Sequence, residues 1–275
     1  MYEDFIGQKK IILELESIYE DISKTHNGVN ILFRGQAGCG KTLLANMFLT
    51  SLGSNVYHLP DKKNNYEFMW NDRISSYRYH FVDEIHKLKS PETMYPILDS
   101  GNYVFVFASN EYGELPDALL SRCFIYNFAE YSLDEISEII SRYSRTKGIF
   151  LDKSKSDLFA KYSRNNPRVV KKLFDRVLFI INRGYYKLSI RGIISALNDI
   201  GIYSGGYTDL DIQYLQMLSK LVTSSLDNMS RILKIDKNTI LNEIEPFLIE
   251  KGHIIITSKG RKFINFGGVN ESSIH

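Results

Sequence analysis

The residues most able to do chemistry are Gly35-Gln36-Ala37-Gly38-Cys39-Gly40-Lys41-Thr42, which fit G-x-x-x-x-G-K-[S/T]. Glycines at these places let successive backbone N–H groups wrap a phosphate, and the N-terminus of a following helix adds a favourable dipole. Lys41 is expected to reach the β- and γ-phosphates of a nucleoside triphosphate, and the Thr42 hydroxyl to hold Mg²⁺. The expected nucleotide-binding segment runs on to Leu43. A chance match in a glycine-rich turn is the alternative; an apolar strand before the loop and a helix after it argue against that.

A second constellation is Tyr79-His80-Phe81-Val82-Asp83-Glu84, an apolar strand ending in two carboxylates. Asp83 is expected in the Mg²⁺ shell and Glu84 as the group that polarises the attacking water. The pair is expected to come from the strand adjacent to the phosphate loop; a solvated acidic strand end is the bland reading. Asn110 closes the run Val104–Ser109 and can position the water or read the γ-phosphate, or simply form a turn. Arg122 precedes the last sheet strand, where it can complete a neighbour's site in trans, or lie in a surface loop. Arg168, in Asn165-Asn166-Pro167-Arg168, opens a helix with proline at its first position; it can reach a γ-phosphate or form a surface salt bridge. Lys259, Arg261 and Lys262 cluster in a terminal hairpin and suit contacts to DNA phosphates. The segment 209–275 nevertheless holds eight Lys/Arg and eight Asp/Glu, so solvated hairpin cations remain the alternative.

Elements that position these groups are readable from periodicity. Ile11, Leu15, Ile18 and Ile22 recur at helical spacing within 9–25. Short apolar runs at 29–33, 56–59, 79–82, 103–108 and 124–128 read as strands, and 41–52 reads as a helix. Strands alternating with helices predict a parallel sheet covered on both faces, an α/β core. The pattern turns helical from about 129, with segments at 136–143, 154–162, 167–181 and 190–200. Gly201-Ile202-Tyr203-Ser204-Gly205-Gly206 reads as a linker. Three helical segments (209–222, 226–233, 237–250) and a strand, turn and strand over 253–264 then predict a winged helix. The expected division is a nucleotide-binding core over 1–128, a helical lid over 129–203 and a winged helix over 204–275.

Composition narrows the classes. The chain has 275 residues, is 44% hydrophobic and 24% charged, and has a formal net charge of +2, which excludes a general nucleic-acid coat; a nucleic-acid site must be local. Cys39 and Cys123 have neither disulfide-framework nor metal-ligand spacing. The acidic start Met1-Tyr2-Glu3-Asp4 lacks signal-peptide character, and no apolar run approaches the ~20 residues of a spanning helix. A cytoplasmic protein without a membrane role is expected.

Together these motifs resemble the RuvB-type AAA+ motors of Holliday-junction branch migration, over nearly the whole chain. Asp4-Phe5-Ile6-Gly7-Gln8 looks like the family's opening box beside the adenine, Phe81 to Leu88 like its Walker B segment, and Asn166-Pro167-Arg168 like its second sensor. Leu241–Gly252 and Thr257–Arg261 look like its winged-helix ending. The resemblance implies ATP and Mg²⁺ at Lys41, Thr42 and Asp83, and hydrolysis by Asp83 and Glu84. It implies Asn110 as first sensor, Arg122 as trans-acting finger, Arg168 as second sensor, and Phe5, Ile6 and Gly7 near the adenine. DNA, branched in form, is the implied substrate, and a homo-oligomeric ring of six the implied assembly.

Several features depart from the family. Tyr95 to Asn102 runs almost directly into Val104, where the family carries a long partner-docking hairpin, so docking to a RuvA-like partner is not expected. The chain begins at the opening box, so part of the adenine pocket is expected to be missing. Gln36-Ala37 replaces two prolines, and Ser121-Arg122-Cys123 is closer to the finger motif of clamp loaders. The leading expectation is an ATP-hydrolysing DNA motor. The alternatives are a clamp- or helicase-loading ATP switch, and a nucleotide-binding DNA scaffold with little turnover.

Overall fold

In the computed structural model, residues 2–59, 72–111, 113 and 115–267 are described. Residues 268–275 of the expected C-terminal domain lie outside them. The chain divides into two compact units, one of residues 1–135 with 166–168 and one of residues 136–165 with 169–275.

The first unit is built on five strands: β1 (Val29–Arg34), β2 (Val56–His58), β3 (Tyr79–Val82), β4 (Val104–Ser109) and β5 (Phe124–Asn127). They form one sheet in the order β2-β3-β4-β1-β5, and every pairing is parallel. Helices α1 (Lys9–Thr25) and α2 (Lys41–Leu52) and the short helices α3 (Asp72–Ser75), α4 (Tyr95–Leu98) and α5 (Asp117–Leu120) complete it. α1 buries Ile11, Leu15 and Ile22, as its periodicity predicts. All six residues of β4 are buried, the pattern of a strand covered on both faces. Its Phe105 and Phe107 rings lie parallel, with centroids 5.7 Å apart.

One expectation is corrected. β3, which ends in the acidic pair, is not the neighbour of β1; β4 lies between them. Strand order depends on long-range crossovers, which local periodicity does not encode.

The second unit is helical up to residue 199: most of α6 (Leu133–Thr146), then α7 (Lys153–Lys161), α8 (Pro167–Asn182) and α9 (Ile190–Asp199). It continues with α10 (Asp209–Leu221), the two-residue strand β6 (Thr223–Ser224), α11 (Leu226–Leu233), α12 (Lys237–Thr239), α13 (Glu245–Glu250), β7 (Ile254–Thr257) and β8 (Gly260–Phe263). The expected single helix over 237–250 is a helical run with a π-helical stretch at Ile240–Ile244. The antiparallel sheet order β6-β8-β7 makes this ending a winged helix. β6 is too short to announce itself by alternation. The expected linker is packed rather than loose: Gly206 and Tyr207 are buried, and residue 202 bridges 208.

His80, on β3, is fully buried and stacked on Phe105 at 4.6 Å, its Nε2 2.9 Å from the Tyr77 carbonyl. Burial holds its pKa down at about 4. The unfolded imidazole protonates near its ordinary value while the folded one stays neutral, so stability is present above that value and is lost as pH falls toward 4. We expect the His80 contribution to fall by about 2 kcal/mol between pH 7 and pH 5. Urea denaturation of wild type and His80→Phe at the two pH values checks this; the variant should lose that much less.

Candidate nucleotide site and winged-helix surface

The phosphate loop lies between β1 and α2, the buried strand and the helix that bracket the glycine motif in sequence. Gly38 and Gly40 take φ of +86° and +100°, values open to glycine and strained for other residues. A Cβ on Gly38 would stand 2.7 Å from both Arg168 Cβ and Asn166 Oδ1. Lys41 is only 8% exposed. Its ammonium donates to the carbonyls of Gly35 (2.7 Å) and Gln36 (2.9 Å) and lies 3.9 Å from Cys39 Sγ. Burial draws its pKa below the usual lysine range; Arg168 adds to that shift, and Asp83 opposes it.

The acidic pair reaches the loop although β3 is not the strand next to β1. Thr42 Oγ1 donates to Asp83 Oδ2 at 2.8 Å, so the two expected Mg²⁺ ligands are adjacent. The second Asp83 oxygen accepts the Glu84 backbone N–H at 3.0 Å. Glu84 takes a left-handed backbone (φ 50°), and its carboxylate pairs with Lys87 one turn on. Asn110 Oδ1 is buried with no hydrogen-bond partner among the described residues, an acceptor just beyond β4. Ser109, before it, is tied to the Glu111 backbone and lies 3.1 Å from His86 Nδ1.

The remaining expected residues divide. Phe5 and Gly7 are buried, and Ile6 is half-buried. Phe5 Cζ would stand 3.2 Å from a Cβ on Gly40, so the opening segment abuts the phosphate loop. Gln36 and Ala37 are exposed, Cys39 is buried, and Leu43 is 52% exposed on the first turn of α2. Arg168 is exposed, with its backbone N–H on Asn166 Oδ1. Arg122 is engaged within its own chain: Nε and Nη2 donate to Asp99 at 2.9 and 3.0 Å, and Nη1 donates to the Ala118 carbonyl at 2.7 Å. Its guanidinium also covers the Tyr95 ring at 4.6 Å.

Four residues escaped the sequence reading as site residues. Tyr131 donates its hydroxyl to the Cys39 carbonyl at 2.8 Å. Asn166 donates from Nδ2 to the Ala37 carbonyl at 2.9 Å. Gln8 makes a two-way amide pair with the Ala129 backbone. Lys87 holds Glu84. Asn166, Gln8 and Lys87 each lie inside a motif quoted above, without a role of their own there; Tyr131 carried no local signal.

The wing also differs from expectation. β8 begins at Gly260, which puts Arg261 on a strand rather than in the turn; Lys262 lies on the strand, as expected. Lys259 and Lys262 are exposed. Arg261 is instead bound by Glu245 through Nε–Oε1 (2.7 Å) and Nη2–Oε2 (3.1 Å), and Glu245, 1% exposed, also accepts from the Tyr214 hydroxyl at 2.7 Å. A buried carboxylate needs a paired cation, and Arg261 supplies it.

The donor set fits a magnesium–nucleoside triphosphate. The loop offers backbone N–H groups around a buried lysine, Thr42 and Asp83 offer hard oxygens, and Asn110 offers an orphan acceptor. Among the described residues no group of three or more His, Cys, Asp or Glu can hold a metal by itself. A hard cation there must take phosphate and water oxygens as well.

Residues 204–267 match the family described as the RuvB C-terminal winged helix domain. Across 97% of this chain and 94% of its own length, the Holliday junction branch migration complex subunit RuvB of Mycoplasmopsis pulmonis is 29% identical. The Helicobacter hepaticus protein of the same name is 27% identical over 95% and 89% of the two chains. Over nearly its whole length the chain is similar to these RuvB proteins. Its backbone superimposes on the Thermotoga maritima RuvB Holliday junction branch migration motor with a TM-score of 0.82, at 21% identity, over 98% of this chain and 96% of that one. A wider likeness links this RuvB-like fold to domain III of the Thermotoga maritima replication initiation protein DnaA, with a TM-score of 0.55 over 72% of the chain. No helix among the described residues is long and apolar enough to cross a membrane.

Gly38→Ala is the sharpest test of the loop. The added methyl both strains a left-handed backbone and strikes Arg168 and Asn166. We expect MgATP affinity to fall by about tenfold or more, roughly 1.4 kcal/mol, checked by titration of the purified protein with a fluorescent nucleotide.

Proposed function

We propose that the chain is a RuvB-like AAA+ ATPase that uses ATP hydrolysis to act on DNA, in branch migration or translocation. The single observation that carries this reading is the contact of Thr42 with Asp83 beside the buried Lys41. It brings a phosphate grip and a metal-binding carboxylate to one place on an α/β scaffold that ends in a winged helix.

In this reading the loop amides of 35–42 and Lys41 hold the phosphates, and Phe5, Ile6 and Gly7 border the adenine. Thr42 and Asp83 would hold Mg²⁺, which would supply neutralising charge to the phosphates. Glu84 accepts the proton of the attacking water after exchanging Lys87 for it; an exposed pair of this kind is worth only ~0–1 kcal/mol, so exchange is cheap. Asn110 Oδ1 orients that water. Arg168 contacts the γ-phosphate in its own subunit. Arg122 acts on the site of the next subunit in a homo-oligomeric ring, which would leave an isolated subunit a poor ATPase. Lys259 and Lys262 contact DNA phosphates, while Arg261 supports the wing from inside. We take the functional division as core 1–128, lid 129–203 and winged helix 204–275.

The loader reading keeps one observation in its favour. The connection from β3 to β4 is made of 3₁₀ turns and the short α4, without a strand. ATP turnover measured with duplex, forked and four-way-junction DNA separates the readings. Stimulation with strand movement supports the motor, one-time deposition of a partner supports the loader, and no response to any DNA would sink both.

Glu84→Gln should reduce turnover by at least about a hundredfold while MgATP stays bound, as expected for loss of a general base; retained turnover would remove Glu84 from the mechanism. In the wing, Lys259→Ala with Lys262→Ala should reduce the slope of log affinity against log salt by about 2 without loss of stability. Arg261→Met should instead cost about 3–5 kcal/mol of fold stability, because Glu245 is left buried without its cation.

A further inference from the structure

We infer that Arg164 is the positioning residue that couples the nucleotide loop to the winged helix; the inference rests on the nucleotide-binding reading above. Arg164 stands two residues before Asn166, whose side chain holds the Ala37 carbonyl of the phosphate loop, and four before Arg168, beside Gly38. Its own side chain is bonded within the second unit. Nε donates to the Gly206 carbonyl at 2.8 Å, Nη1 donates to the Glu243 carbonyl at 3.1 Å, and Nη2 pairs with the Asp211 carboxylate. The guanidinium carbon lies 3.9 Å over the Phe247 ring.

These four partners occupy the interdomain linker, the first turn of α10, the π-helical stretch and α13, so one side chain engages four segments at the winged-helix end. Asp211 is fully buried and closes the capping box of α10, its carboxylate accepting from the backbone N–H and hydroxyl of the N-cap Thr208. Gly206 is the counterpart on the linker: a Cβ there would meet Arg164 Cγ at 2.8 Å.

The backbone between the two anchor sets is restrained. Arg164 and Asn165 both adopt left-handed conformations, φ 52° each, which non-glycine residues keep only when their surroundings impose them. Proline follows at 167. A displacement of Asn166 and Arg168 on γ-phosphate contact therefore has few free dihedrals in which to dissipate before Arg164. The guanidinium, bonded to the linker and to α10 at once, then carries it to the winged helix.

The test is hydrogen exchange on the full chain with and without saturating MgATPγS, in wild type, Arg164→Lys and the double variant Arg164→Met with Asp211→Asn. The double variant removes the cation and its buried counter-charge together. In wild type we expect nucleotide to protect amides of 35–43 and to change exchange of amides at 206–211 and 243–248 at least about threefold. In the double variant the protection of 35–43 should persist and the distant change should fall below about 1.5-fold, with Arg164→Lys between the two. Distant amides that respond as in wild type would overturn the coupling. So would a wild type whose loop is protected while 206–211 and 243–248 stay unchanged, an outcome that needs no folded variant. Failure of MgATPγS to protect 35–43 in wild type would instead refute the nucleotide-binding reading itself.

Discussion

A single constraint organises the first unit: the ammonium of Lys41 has to be buried and still be solvated. Burial of an unpaired cation is prohibitive, and among the described residues no acidic side chain is bonded to it. The loop carbonyls of Gly35 and Gln36 take that place, which forces the backbone to curl around the amine. The curl goes with left-handed conformations at Gly38 and Gly40. Tyr131 and Asn166 then fasten the loop by its Cys39 and Ala37 carbonyls. Each of these features is a consequence of putting one charge inside and aiming it.

The other charges follow a related rule, and its magnitude separates working groups from structural ones. Glu84 with Lys87 is an exposed pair, held by roughly 0–1 kcal/mol, so either partner can be exchanged for water or phosphate. Glu245 with Arg261 and Asp211 with Arg164 are buried at the carboxylate, where breaking the pair costs several kcal/mol, about 3–5. Those arginines stay fixed on their carboxylates, Arg261 as a support inside the wing and Arg164 as a rigid link. Arg122, gripped by Asp99 and covered by Tyr95, stands between the two classes, held in a defined direction yet partly open to solvent.

Strand order supplies the remaining geometry. Inserting β4 between β1 and β3 places the end of β4, with its unsatisfied Asn110 oxygen, between the phosphate loop and the acidic pair. Ligand sites in parallel sheets gather at the carboxyl ends of strands, and the three segments proposed for the site follow the ends of β1, β3 and β4. A sheet with β1 and β3 adjacent would have no such place for an amide from a third strand.

What could be read from the residues alone was whatever depends on local pattern. The strand–loop–helix around Gly35 to Thr42, the acidic strand end at Asp83-Glu84 and the helix over 9–25 are each encoded within about twenty residues, as are the helices and hairpin of the winged ending. So are the residue types that a phosphate site needs. What the tertiary structure decided was pairing at a distance. It decided that β4 separates β1 from β3, that Asp99 and Tyr95 hold Arg122, that Lys87 holds Glu84, and that Arg261 lies inside the wing against Glu245 rather than at its tip. A side chain's charge is written in its type, but whether that charge is free depends on burial and on a counter-charge brought from elsewhere. Glu245 and Arg261 are sixteen residues apart, and Arg164 and Asp211 forty-seven, distances over which no periodicity carries information.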